Sequence, residues 1–459
     1  MRARGGFLAI VLIAGLVGGG GLYLQREVGV RPATAVAAGA APSGAWLCPH
    51  GGGASGWKVW LFVTNPGSTP VQIRVQSFGS KAPSDPQTLT IAPRARAQVE
   101  VPATGREASS LVEYFGGWVA AGWVAVAGGD ESGTAAEPCL AEAGRTWLLP
   151  DGTTVQGQDA WVVVMNPFAS EAVFSLTLVT ERRTVRTKDW SDFVLGARRS
   201  VAFHLNSKAL GERTVVADVD VSIGRVAASS LGIADAGGIR SAVGVPAATD
   251  RVYLPGGGDS GHNELAVVDP SGRGVHYEVN VLDPRGPQPA QGLGREQLGP
   301  GVDRTYDITA GDPATIVVSG TDGQVAAARR TLGTRGDQGS TGGVSSPAPA
   351  WVISTTAATE ADKVAVYLVN PGTDTVRVQC WLLGGGGQVG PPITVEVPAG
   401  VMVTVPTEFN PDRPQGSVVA VAASGTFIPV EVSYSASGTG YAVAVGVPVP
   451  ARFIPSPGA

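Results

Sequence analysis

The chain has 459 residues, 33 Lys and Arg against 38 Asp and Glu for a net charge of −5, and is punctuated by 65 glycines and 34 prolines. Setting aside Arg2, Arg4, Arg26 and Glu27 leaves 33 − 3 = 30 basic and 38 − 1 = 37 acidic residues, net −7. They are spread without long blocks, so the electrostatic footprint of a nucleic-acid binder is missing and no nucleic acid is expected as partner. Nearly all the basic residues are arginine, a bias that reads as GC-rich coding sequence rather than mechanism.

At the N-terminus, Arg2 and Arg4 precede an apolar run from Gly5 to Leu24, the length of a helix that crosses a bilayer. Residues 1–24 therefore read as a signal anchor, a transmembrane helix that stays uncleaved because Gln25-Arg26-Glu27 follow it directly and the small residues Ala35-Val36-Ala37 come later. With the arginines kept in the cytoplasm, the reading is a single-pass protein of the cell membrane whose remaining chain is extracytoplasmic, the alternative being secretion after signal cleavage. Gly15 and Gly19 form the Gly-x-x-x-Gly spacing of a homodimer through the anchor. Residues 25–44, rich in Ala, Pro and Gly, read as a stalk.

Beyond residue 44 one pattern is written four times: WLFVTNPGSTPVQIRV, WVVVMNPFASEAVFSL, ELAVVDPSGRGVHYEV and VAVYLVNPGTDTVRVQ. Its turns start at Asn65, Asn166, Asp269 and Asn370, so the intervals are 166 − 65 = 101, 269 − 166 = 103 and 370 − 269 = 101, a domain-sized repeat. In each turn the Asn or Asp side chain caps the backbone and proline fixes the next φ. Trp46-Leu-Cys-Pro49, Trp147-Leu-Leu-Pro150 and Val252-Tyr-Leu-Pro255 open the first three units and Trp351 the fourth. A Gly/Pro break at Pro93, Gly196, Pro300 or Gly400 leads into an alternating strand, and a final hairpin is expected to turn near Gly117, Gly224, Gly323 and Gly425. Thr334 to Pro349 has linker composition, with an edge strand expected within it.

Period-two alternation, as in Val71, Ile73 and Val75 against Gln72, Arg74 and Gln76, marks half-buried strands. Roughly 415 residues divide into four units of about a hundred, each able to bury a core. The fold class is all-β: four tandem immunoglobulin-like β-sandwich repeats over 45–145, 146–250, 251–349 and 350–459. Arg452-Phe-Ile-Pro455 echoes an opening strand. It is expected to complete the last sheet, the alternative being closure of a propeller-like ring.

Cys48 in the opening strand and Cys139 after the closing hairpin are expected to form a disulfide across 139 − 48 = 91 residues, stabilising the first unit by about 4 kcal/mol. Cys380 alternates inward with Val376, Val378 and Leu382 and reads as a buried free thiol. No catalytic motif stands beside the repeat. His50, His204, His262 and His276 form no His-x-x-x-His or His-Glu pair, and His204 and His276 read as solvated. The glycine runs lack the Lys-Ser/Thr ending of a phosphate loop. Asp218 and Asp220 read as the exposed face of a strand rather than a calcium site. Neither cofactor nor metal is expected, and the protein is expected not to be an enzyme.

The first unit holds Trp46, Trp57, Trp60, Trp118 and Trp123, five of ten tryptophans. Of these Trp57, Trp118 and Trp123 have no counterparts in the other units and are the candidate binding surface for a saccharide ring or a protein partner. Together the anchor, the Leu47-Cys48-Pro49 opening, the Asn-Pro turns and the Gly-rich all-β body resemble an uncharacterised actinobacterial family of membrane-anchored envelope proteins, a domain of unknown function. The resemblance covers most of the chain and implies an envelope location without a known activity; it carries over no functional residue. The expected function is a non-enzymatic scaffold or protein-interaction module of the cell envelope, with an envelope protein as partner; the alternative is a cell-wall glycan bound through the tryptophans of the first unit. A third reading, an enzyme, requires a cleft lined by carboxylates from different units.

Overall fold

A computed structural model describes residues 44–256, 260–310, 313–333, 337–354, 363–406, 416–434 and 440–455. The anchor over 1–24 and the stalk, apart from Gly44, lie outside them. The membrane location read from the sequence is not supported: no helix among the described residues is long and apolar enough to cross a membrane.

The first unit has eight strands: β1 (Gly44–Cys48), β2 (Lys58–Asn65), β3 (Val71–Phe78), β4 (Gln87–Ile91), β5 (Ala95–Val101), β6 (Ser109–Phe115), β7 (Ala120–Val126) and β8 (Thr134–Pro138). They form two antiparallel four-stranded sheets ordered β1-β6-β3-β4 and β5-β2-β7-β8. The other three units repeat this order. Of the immunoglobulin pairings, the second strand with the fifth and the third with the sixth are kept, while the first and seventh strands lie on the opposite sheets. The first strand is also bridged by the chain that leaves its own unit, as Leu47 with Leu140, Leu148 with Val245 and Tyr253 with Val344. In the fourth unit this role falls to a two-residue strand, Val447–Pro448, on Trp351 and Val352. Residues Ala451–Phe453 are a 3₁₀ turn instead of the expected strand, and Phe453 stacks on Trp118 of the first unit with ring centroids 6.3 Å apart.

Two expectations about connections change. Gly117 and its counterparts do not turn hairpins, because β6 and β7 belong to different sheets; the chain arches from one sheet to the other there, and the closing hairpin is β7 to β8. The linker-like stretch after Thr334 does contain a strand, Gln338–Thr341, which is the β8 equivalent of the third unit.

The Asn-Pro turn is likewise an arch. Asn65 ends β2 on one sheet, yet its Nδ2 donates to Thr69 O at 2.8 Å and Ala92 O at 3.0 Å, around the other sheet, while Oδ1 accepts from Gly67 N at 3.0 Å. Asn166 repeats this with Ser170 O, Leu195 O and Gly196 O, and Asn370 with Asp374 O and Val397 O. Asp269 has no donor to offer, so its two oxygens instead accept from Ser271 N, Arg273 N and Gly274 N within its own turn. All four side chains are buried. A second staple comes from the opening tryptophans: Trp46, Trp147 and Trp351 donate Nε1 to Val119 O, Val226 O and Phe427 O, each just before the β7 equivalent.

Where units meet, strands are covered on both faces. Leu47 and Leu111 of unit 1 pack on Met165 and Ala227 of unit 2, and Leu148 and Val216 of unit 2 on Val268 and Ala326 of unit 3. Tyr253 and Val317 of unit 3 share a core with unit 4. Ala442 and Ala444 of unit 4 pack in turn against Phe62, Val124 and Ala136 of unit 1. Burial on both faces explains why the strands before the turns, such as Trp60-Leu-Phe-Val63, read as continuous apolar runs. The β8 equivalents Thr134–Pro138, Ile239–Val243, Gln338–Thr341 and Tyr441–Val445 each lie against the next and the last against the first. Small residues permit this approach: a Cβ on Gly339 would meet the Tyr441 ring at 2.7 Å. Among the described residues no sheet closes on itself and no unit is a single-sheet blade, so the propeller alternative does not hold; whole sandwiches pack around their closing strands.

Candidate functional site

The interior between units is polar where the closing strands meet. Asp151 is buried, and its Oδ2 accepts from Ser230 Oγ of its own unit at 2.7 Å and from Ser340 Oγ of unit 3 at 2.9 Å. Arg240 Nη1 donates to Gln158 Oε1 at 2.9 Å and to Gln338 Oε1 at 2.6 Å. Arg330 of unit 3 donates to Gly152 O at 3.0 Å and pairs with Glu264 at 2.8 Å. Burial and the nearby Asp151 push Glu137 well above the usual carboxylate range. The arginines that composition left without a role include these buried braces, for which the planar guanidinium fork suits carbonyl oxygens better than an ammonium.

The tryptophan surface expected on unit 1 is not a surface. Trp57, Trp118 and Trp123 are 8, 6 and 0 % exposed. Trp118 lies between Trp46 and Phe453, Trp123 packs in the core beside His50, and Trp57 donates Nε1 to Glu131 Oε2 at 2.7 Å with the Arg106 guanidinium over its ring. Burial wins because these rings face the space between the two sheets and the adjoining units, which alternation within one strand cannot reveal. Cys48 and Cys139 do form the disulfide, and Cys380 is a buried free thiol pushed up to about 12 by burial.

Histidines at the surface have acidic partners. His276 Nδ1 lies 2.6 Å from Asp322 Oδ2. His262 Nε2 lies 2.8 Å from Asp307 Oδ1, and with Glu264 these make a group whose ligand atoms fall within 4.8 Å of one another. Arg213 donates to both Glu264 and Asp307, so a guanidinium occupies the position a cation would take. Asp218 is half-buried rather than exposed, and burial followed by Asp220 raises it to about 6.

The remaining arrangement is a cleft of about 420 Å³ between units 1 and 2. Asp130 and Glu131, at the tip of the β7–β8 hairpin, form one wall, and Asp235, at the equivalent hairpin of unit 2, and Asp159 form the other. Gly238 N donates to Ser132 O at 2.8 Å and joins the two hairpins. Arg106 pairs with Glu131 and donates to Gly52 O at 2.9 Å, so that wall is fixed. Across the cleft Asp159 accepts from Trp161 Nε1 at 3.0 Å and holds His204 Nε2, whose ring stacks on Trp161 with centroids 4.3 Å apart. None of the four carboxylates stood out in the sequence. Their one local signal is the recurrence of Asp with Gly at two equivalent hairpins, Gly129-Asp130-Glu131 and Asp235-Ala236-Gly237.

Fold and site together define a tandem β-sandwich protein whose units are braced into one compact body spanning Ser43–Ala459. A family model matches residues 109–408, from the start of β6 in unit 1 into unit 4, and the chain belongs to that family, a family of unknown function (DUF5719). No curated protein matches the chain.

Proposed function

We propose that the protein is a non-enzymatic scaffold that engages other proteins through surfaces held in fixed relation by the packing of its four units. The observation that supports this reading is the bracing between units: apolar contacts join each pair of neighbours, and buried polar bonds such as Ser340 to Asp151 fix their register. A string of independent domains needs neither. Interfaces of this kind spend a large apolar area on rigidity, which suits an array that presents several faces at set distances. The test is affinity capture with the immobilised full chain, offered soluble and detergent-extracted proteins and, separately, protein-free polysaccharide. The reading expects a defined protein retained in stoichiometric amount; retention of polysaccharide alone would replace it with a glycan-binding function.

A further inference from the structure

The cleft between units 1 and 2 combines charge and apolar surface in a way that the scaffold reading does not itself require. Of its four carboxylates, Glu131 is neutralised by Arg106 and Asp159 is held by His204 and Trp161. Asp130 and Asp235 are exposed and have no cationic partner among the described residues. No Lys or Arg lines the cleft. Its rim carries Leu210, 77 % exposed, and Val155, two of the large apolar side chains left uncovered in this protein. Ile233 and Ala234 lie beneath, buried.

Two of the three amides that line the cleft are already engaged. Asn206 accepts from Ala160 N at 2.9 Å and donates to Gln158 O at 2.7 Å, while Gln158 Oε1 takes Arg240. The cleft volume suits one or two side chains rather than a folded surface.

We propose, on the basis of the scaffold reading, that this cleft docks a peptide segment of a partner protein in which a lysine or arginine stands beside an aliphatic residue. The cation sits between Asp130 and Asp235, and the aliphatic side chain covers Leu210 and Val155. Charge complementarity sets the encounter and orientation, and apolar burial supplies the rest.

The test uses the full chain and three fluorescein-labelled octapeptides, alternating leucine with arginine, serine with arginine, and leucine with glutamate, followed by fluorescence anisotropy. Only the leucine–arginine peptide is expected to bind. The double variant Asp130→Asn, Asp235→Asn should weaken it about tenfold, the size of two modest charge contacts, and Leu210→Ser should weaken it as well, with unchanged melting temperatures because all three residues are exposed. Equal binding of the leucine–arginine peptide to the double variant, binding of the serine–arginine peptide as strong as that of the leucine–arginine one, or no binding of any peptide would each overturn the proposal. The scaffold reading is separable from it. A captured protein retained equally by wild type and double variant removes the cleft and leaves the scaffold, whereas cleft-dependent peptide binding without any captured protein removes the scaffold alone.

Discussion

Ser340 Oγ, on the closing strand of unit 3, donates a 2.9 Å hydrogen bond to Asp151 Oδ2, at the end of the first strand of unit 2. The two residues are 189 apart in the chain and both are buried, so the contact exists only when two sandwiches have folded and docked. Ser340→Ala leaves Asp151 with Ser230 as its remaining hydroxyl donor. Removing one partner from a buried carboxylate should destabilise by about 2 kcal/mol, read as a lowered urea midpoint with an unchanged slope.

The Asn-Pro arches give an asymmetric prediction. In Asn166→Asp the oxygen that replaces Nδ2 faces the carbonyls of Ser170, Leu195 and Gly196, which it can only repel. The expected loss is about 3 kcal/mol. Asp269→Asn fails for the opposite reason, since its amide would face Arg273 N and Gly274 N. Thermal melts of both variants check this; a neutral Asn166→Asp would show that the arch does not depend on its side-chain donor.

Buried ionisable groups set the pH dependence. Burial pushes Glu431 and Asp303 up to about 8, with Arg96 opposing it for Glu431. Their unfolded values lie near 4. The folded state thus holds protons that the unfolded chain has released, and this contribution is full below about pH 4 and lost as pH rises through about 8. His50 runs the other way: burial lowers it to about 4 from an ordinary 6.5, so its contribution is present above that ordinary value and lost as pH falls toward about 4. Between about pH 4 and 6.5 the two carboxylates outweigh the one histidine, so the melting temperature should be highest near pH 4 and fall as pH rises toward about 8. Glu431→Gln should flatten the alkaline limb without moving the acid one; a melting temperature that climbs steadily from neutral to alkaline pH would contradict the assignment.

The three cysteines are expected to divide cleanly. In the folded protein neither the disulfide Cys48–Cys139 nor buried Cys380 offers a thiolate. A thiol reagent should label nothing in the native state, Cys380 alone after unfolding without reductant, and all three after reduction. Cys48→Ser with Cys139→Ser should cost about 4 kcal/mol by the loop-entropy argument, measured by urea unfolding.

Alternation and the recurring Asn-Pro or Asp-Pro turn are properties of short stretches, and they were sufficient to divide the chain into repeats and to place Cys48, Cys139 and Cys380. The lack of counterparts misled at Trp57 and Trp118, because a tryptophan present in one unit alone is assumed to serve a surface that the other units do not have. Here both rings fill the core of unit 1, Trp118 between Trp46 and Phe453 and Trp57 against Glu131 and Arg106. The apolar run Trp60-Leu-Phe-Val63 already carried the signal for burial on both faces.

By itself the amino-acid order determined the period, the all-β class, the position of the Asn-Pro and Asp-Pro turns, and the disulfide, since each rests on local backbone chemistry or on a repeat that can be counted. Only the tertiary structure decided that the units brace one another through Asp151, Arg240 and Arg330, that the tryptophans of unit 1 are interior, and that Asp130 and Asp235 line one cleft. Those relationships join residues 98 to 189 positions apart through docking of whole sandwiches, and docking is set by the combined shape of two surfaces, which no single strand's pattern encodes.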